Sequence, residues 1–117
     1  MQKILLIDDE QDMLDILRYC LQAQGFEVHT ALDGVEGFVR TKEIEPDLII
    51  MDITMPSLDG WALLNLFKLE CLATPVIVLS GRNDLKTAVE QEMKTDFFLK
   101  PFHTIDVINK VHELVHN

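Results

Sequence analysis

The chain has 117 residues, a formal net charge of −10 and 48% hydrophobic content, which fits one globular domain with a real core and excludes a disordered segment. So acidic a chain, with no cluster of Lys and Arg, is a poor match for nucleic acid or an anionic membrane, because phosphate contacts need concentrated positive charge. No apolar stretch approaches the roughly 20 residues of a membrane span and no signal region precedes the first strand pattern, so the expected location is the cytoplasm.

Ile4-Leu5-Leu6-Ile7 is apolar without alternation, the pattern of a strand covered on both faces, as in a parallel sheet. It runs straight into Asp8, Asp9, Glu10 and Asp12. One acid would suffice to cap a following helix; several together repel one another, a cost that a bound cation offsets. Both readings stand at this point.

Met13, Leu14, Ile16, Leu17, Cys20 and Leu21 recur at helical spacing and predict helix 1 over about 11–24, stopped by Gly25. More of them are apolar than one inward stripe requires, which leaves a docking edge beside the acids as a second use. Phe26–Ala31 reads as strand 2. Asp33 and Glu36 stand at capping-box spacing for helix 2, which runs to about Glu45 and is closed by Pro46. Leu48-Ile49-Ile50-Met51 is a second wholly apolar strand ending on an acid, Asp52.

Met55–Gly60 reads as a turn, with Asp59 capping helix 3 from about Gly60 to Glu70. Trp61 is a packed residue of that helix. Pro75 opens a further apolar strand, Val76–Leu79, that ends at Ser80-Gly81. Helix 4 is expected over about Leu85–Lys94 with Asn83 or Asp84 as its cap. Phe97–Leu99 leads into Lys100-Pro101, and helix 5 spans Thr104–His116 with Ile105, Ile108, Val111, Leu114 and Val115 inward.

Cys20 and Cys71 lack metal or redox spacing and read as reduced thiols. His29, His103, His112 and His116 form no ligand set; the i, i+4 spacing of the last two is attributed to chance.

Alternating strands and helices predict right-handed crossovers and an open parallel sheet between helix layers, with the functional crevice beyond the carboxyl ends of the strands. That rim collects Asp8, Asp9, Asp52, Ser80 and Lys100. Carboxylates hold hard cations such as Mg²⁺, a lysine supplies a fixed positive charge, and phosphoryl transfer needs positioning and charge neutralisation. The nucleophile in such a set would be a carboxylate.

KILLIDDE, LIIMD, MPSLDG, VIVLSG and FFLKPF, in this order, resemble the receiver domain of two-component response regulators over essentially the whole chain, 1–117. The resemblance implies a flavodoxin-like, CheY-like (βα)5 fold, a doubly wound five-stranded sheet of order 2-1-3-4-5. It implies that Asp52 takes a phosphoryl group from a phosphohistidine of a sensor kinase or phosphotransfer protein. Asp9 would bind Mg²⁺, Asp8 assisting directly or through water and the Thr54 carbonyl completing the site; Lys100 and Ser80 would contact the phosphoryl oxygens.

Further implications are a cis Lys100–Pro101 bond, an output face of helix 4, strand 5 and helix 5, and a ring at Phe97 that moves inward on activation; by period-two alternation Phe98 lies on the opposite face of the strand, in the core. Such a domain catalyses its own phosphorylation and dephosphorylation and acts on no separate substrate. Its partners are a kinase or phosphotransfer protein and a downstream protein, without nucleic acid or membrane. Met93-Lys94 and His103 depart from the family pattern.

A stand-alone receiver has three alternatives. A fragment of a larger DNA-binding regulator or hybrid kinase would look the same. A haloacid-dehalogenase-like phosphatase would want an Asp-x-Asp where Thr54 stands. A flavin carrier would want a hydroxyl- and glycine-rich loop where the acids stand.

Overall fold

The computed structural model describes residues 1–53, 60–70, 73–90 and 95–116. Five strands, β1 (Lys3–Ile7), β2 (Glu27–Ala31), β3 (Leu48–Asp52), β4 (Val76–Ser80) and β5 (Thr95–Leu99), alternate with α1 (Gln11–Ala23), α2 (Gly34–Ile44), α3 (Gly60–Leu69), α4 (Lys86–Glu90) and α5 (Thr104–Val115). The strands pair in parallel in the order β2-β1-β3-β4-β5, the doubly wound sheet that the sequence leads one to expect. The turn at 55–60 with its Asp59 cap, Cys71, Met93-Lys94 and the end of the fourth predicted helix lie outside the described residues.

Unbroken apolar strands follow from coverage on both faces. Leu5, Ile7, Ile49, Met51, Val76 and Val78 face Leu63, Leu64 and Phe67 of α3 and Val89 of α4, with Phe38, Ile44 and Trp61 packed alongside. Ile4, Leu6, Leu48, Ile50, Ile77 and Leu79 face Leu14, Leu17 and Leu21 of α1 and Val107, Ile108 and Val111 of α5. Each fully buried aliphatic chain contributes about 1.5–3 kcal/mol, so the sheet is anchored well enough to carry unfavourable charge at its rim.

Local signals in the sequence act where expected. Asp33 caps α2 by accepting the Glu36 N–H at 2.8 Å. Gly25 ends α1 with φ +93°, a left-handed conformation that a Cβ disfavours. Gly37 lets α2 lie against β1: a Cβ there would stand 2.7 Å from Ile7 Cδ1. Any larger residue would press on the strand end that leads into Asp8.

Three expectations need correction. β5 begins at Thr95 rather than Phe97. In α5, Ile105 is 60% exposed and Val107 takes the inward place, while Leu114 and Val115 are half-buried at the edge of the cluster. A 3₁₀ turn at Asn83–Leu85 precedes α4, which therefore starts at Lys86. On α1, Met13 and Cys20 are half-buried and Ile16 is exposed, so the extra apolar residues lie partly outside the core.

Candidate functional site

Asp8 follows the last residue of β1, and its own N–H still donates to Ala31 O at 3.1 Å, as if the strand continued. Its carboxylate is thereby fixed at the carboxyl rim, where Oδ1 accepts the Glu10 N–H at 3.0 Å. Asp52 is the last residue of β3, two strands of the same rim apart from Lys100, which follows β5. The Lys100 backbone N–H is tied to Ser80 O at 2.7 Å, extending the β4–β5 pairing up to the lysine. The Lys100–Pro101 bond is cis.

The side chains converge. Lys100 Nζ lies 3.2 Å from Asp8 Oδ2 and 3.2 Å from Asp52 Oδ2 and donates to both; Glu10 Oε1 is 3.5 Å away. Carboxylate oxygens of Asp8, Glu10 and Asp52 all fall within 4.8 Å of one another. Asp8, Asp52 and Ser80 are buried. In front of them opens a cleft of about 490 Å³ lined by Asp9, Glu10, Asp52, Gly81, Arg82 and Lys100.

One ammonium shared between two buried acids sets the electrostatics. Burial raises the pKa of Asp8 above the usual aspartate range; the Glu10 N–H and the Lys100 charge pull it back, and the charge of Asp52 adds to the rise. For Lys100 burial acts downward, but the charges and hydrogen bonds of Asp8 and Asp52 outweigh it and its pKa is raised. The two shifts agree: the lysine gains from two carboxylates, whereas Asp8 shares that lysine with Asp52.

Glu10 stands at the N-cap of α1 without any side-chain capping bond. Glu10 is therefore not itself a side-chain cap, and it is Asp8 that accepts the N–H of this N-cap residue. The spacing of the acids suits a small, hard cation with oxygen ligands, and clustering without a cation is a net repulsion.

Among the expected site residues, Asp8, Asp52 and Lys100 are brought into contact. Asp9 lines the cleft but is exposed and is not part of the tight cluster; Glu10 is, by reaching back over the cleft with its longer side chain. Ser80 is buried with its hydroxyl oxygen accepting the Arg82 N–H at 3.0 Å. Thr54 lies outside the described residues.

The strand-end rule collects neither Glu10 nor Arg82. Glu10 belongs to the same acidic run and was within reach of it; Arg82 has no motif to mark it. The ring of Phe97, expected to turn inward on activation, is already buried at 8% exposure in the core cluster of α3 and α4. Phe98 points to the opposite face and is only half-buried.

A parallel, doubly wound α/β domain whose strand ends gather acids around one lysine defines a class of phosphate-handling or cation-binding modules. The sequence model of the response regulator receiver domain matches residues 4–112, and the chain belongs to that family, the receivers of two-component signalling. Transcriptional regulatory protein PrrA of Mycobacterium leprae is 36% identical over 115 residues, which cover 97% of this chain and 49% of PrrA. The chain spans about half the length of the curated relatives it matches.

Among solved structures, the Francisella response regulator 1452 receiver domain superposes with a TM-score of 0.93 at 28% identity, covering 99% of this chain and 98% of that one. The response regulator TrrA of Thermotoga maritima, determined in complex with Mg²⁺ and BeF, gives 0.88 at 26% identity over 97% of this chain and 99% of that one. Among the described residues no helix is long and apolar enough to cross a membrane.

Proposed function

We propose that the whole chain, 1–117, works as a receiver: Asp52 accepts a phosphoryl group from a phosphohistidine of a sensor kinase or phosphotransfer protein, in a Mg²⁺-dependent reaction, and the modified domain changes its binding to a downstream protein. The observation that carries this reading is the bridge of Lys100 Nζ to Asp8 and Asp52 at 3.2 Å each. It sets a fixed cation beside a buried carboxylate at the mouth of an open cleft, and that combination serves an incoming phosphoryl group.

An Asp52 oxygen attacks phosphorus, the bond from phosphorus to the imidazole nitrogen breaks, and its electron pair stays on the histidine. Lys100 is the chain's own cation for the phosphoryl oxygens. Ser80 can donate its hydroxyl hydrogen to them without giving up the Arg82 N–H, because a hydroxyl donates once and still has acceptor lone pairs. Oxygen atoms of Asp8, Asp9, Asp52 and the Thr54 carbonyl, together with Glu10, would hold Mg²⁺; when bound, it supplies positive charge beside the same oxygens. Output through α4, β5 and α5 has apolar material to use, since Leu99 and Ile105 are 41% and 60% exposed.

The test is phosphorylation by a small phosphodonor with Mg²⁺. One labile acyl phosphate is expected on Asp52, absent from Asp52→Asn. Undiminished labelling of that variant at another residue would refute the assignment.

A further inference from the structure

The carboxyl end of α5 carries two histidines whose i, i+4 spacing reads as chance in the sequence. In the fold they meet: His112 Nδ1 stands 3.3 Å from His116 Nε2. The ring planes are 14° apart and the ring centres 5.4 Å apart, so the two nitrogen-bearing edges face each other. The backbone holds this arrangement, because the His116 N–H donates to His112 O at 3.2 Å.

Groups from outside the helix fix the first ring. His112 Nε2 is 2.9 Å from Gln24 Oε1, and an amide oxygen only accepts, so the ring proton sits on Nε2 and Nδ1 keeps its lone pair. The hydrogen between the two rings therefore belongs to His116. The His112 ring also packs against Phe26, centre to centre at 5.1 Å. Gln2 Nε2 donates to Val115 O at 2.8 Å and ties the last turn of α5 to the start of the chain. The pair is positioned before any ligand arrives.

We propose that His112 and His116 form a site for a borderline-soft divalent transition metal, represented by Zn²⁺, with Gln24 as the positioning residue behind His112. Two nitrogens about 2.0–2.1 Å from one zinc ion and 3.3 Å from each other subtend about 105–110° at the metal, close to a tetrahedral angle. Binding takes a rotation of the rings about χ2, a broad torsion in histidine. It also takes a move of the His116 proton from Nε2 to Nδ1, so that each ligating nitrogen presents a lone pair.

A metal-bound imidazole is normally steadied through the hydrogen bond of its other nitrogen, and Gln24 makes that bond to His112. A cation at this place also meets the negative end of the helix dipole. His116 is exposed, which leaves the remaining coordination positions to water. Mg²⁺ prefers oxygen ligands whereas imidazole suits zinc, so this site and the acid cleft select different metals. The inference does not depend on Asp52 being a phosphoryl acceptor.

The test is a titration of the chain with Zn²⁺ in excess Mg²⁺, which keeps zinc from the carboxylates of the cleft, followed by the imidazole NMR signals and by calorimetry. The signals of His112 and His116 should shift together and saturate at one equivalent. Gln24→Ala should raise the dissociation constant about tenfold, as for loss of a group that orients a ligating histidine. His116→Ala, which removes a ligand, should raise it further, while the metal-free variant melts as wild type does. Equal affinity in wild type and His116→Ala overturns the site. So do signals of His112 and His116 that move at different zinc concentrations, or that stay still while His29 or His103 responds. Unchanged affinity in Gln24→Ala overturns the positioning role alone.

Discussion

At the amino-terminal rim of the sheet, the Asp47 carboxylate accepts the Lys3 N–H at 2.8 Å while the Asp47 N–H donates to Lys3 O at 2.8 Å. Lys3 Nζ reaches Ile44 O at 3.3 Å, and Lys42 pairs with Glu70 across a hollow of about 390 Å³. At the carboxyl rim, by contrast, three acids crowd one ammonium, and two of them are buried. Among the described residues, charge at the first rim is matched one to one or lies in solvent; at the second it is in excess, with Asp8 and Asp52 out of water. Polar groups at the first rim hold the fold together, whereas those at the second are carried by it.

The sharpest way to break this contrast is to remove the single ammonium. Without a metal, Lys100→Met should destabilise the domain by about 3 kcal/mol at pH 7, the usual cost of leaving a buried charge unpaired. The loss should shrink as the pH is lowered from 7 to 5, toward protonation of Asp8, whose pKa is already raised by burial. Urea denaturation at the two pH values checks both statements. An equal loss at both would mean that the acids do not depend on the lysine.

Next in size is the response to Mg²⁺. A ligand at a hundred times its dissociation constant stabilises by about 2.7 kcal/mol, and the wild-type melting temperature should rise accordingly. Asp9→Ala should lose most of that response, as the family resemblance implies. Glu10→Ala should lose less, since Glu10 is an exposed side chain already near Lys100. The reverse order would transfer the main ligand role from Asp9 to Glu10.

The sequence makes the first half of this contrast readable and the second only in part. Ile4–Ile7, Leu48–Met51 and Val76–Leu79 are legible as buried parallel strands because both faces need apolar cover. Asp52, Ser80 and Lys100 follow as strand-end residues. Beyond a strand end the alternation that predicts direction is lost, which is why Asp9 and Glu10 could not be ordered. Ile105 fits the apolar count of α5 but not its phase; Val107 does the packing. Thr95 and Asp96 extend β5 with polar residues because pairing with β4, not hydrophobicity, defines that end.

A smaller effect separates burial from pairing at Asp8. Its raised pKa means that the folded state binds a proton more tightly than the unfolded chain. The stability linked to that proton is present below the ordinary value of 3.8 and is lost as pH rises through the folded value. Asp8→Asn keeps an oxygen for the Glu10 N–H and removes the charge. Metal-free Asp8→Asn should therefore lose less stability than wild type as the pH is raised from about 4 to neutrality, with Glu27 and Asp84, which titrate with lowered pKa values, common to both proteins. Parallel curves would deny Asp8 its burial cost.

The smallest expected change lies at the other rim. Asp47→Ala removes the acceptor of the Lys3 N–H in an exposed setting where water can replace it, so the loss should be about 0.5–1 kcal/mol. Asp47→Asn, which retains an acceptor oxygen, should lose less. Neither variant should alter the Mg²⁺ response, because Asp47 precedes β3 and Asp52 ends it, a strand length away, and distant sites add independently. Combining Asp47→Ala with Lys100→Met should then give the sum of the two losses at pH 7 and the same Asp47 increment at pH 5. A coupling between them, or an Asp47 increment that follows pH or Mg²⁺, would show that the two rims share their charge through the sheet, and the contrast between them would not stand.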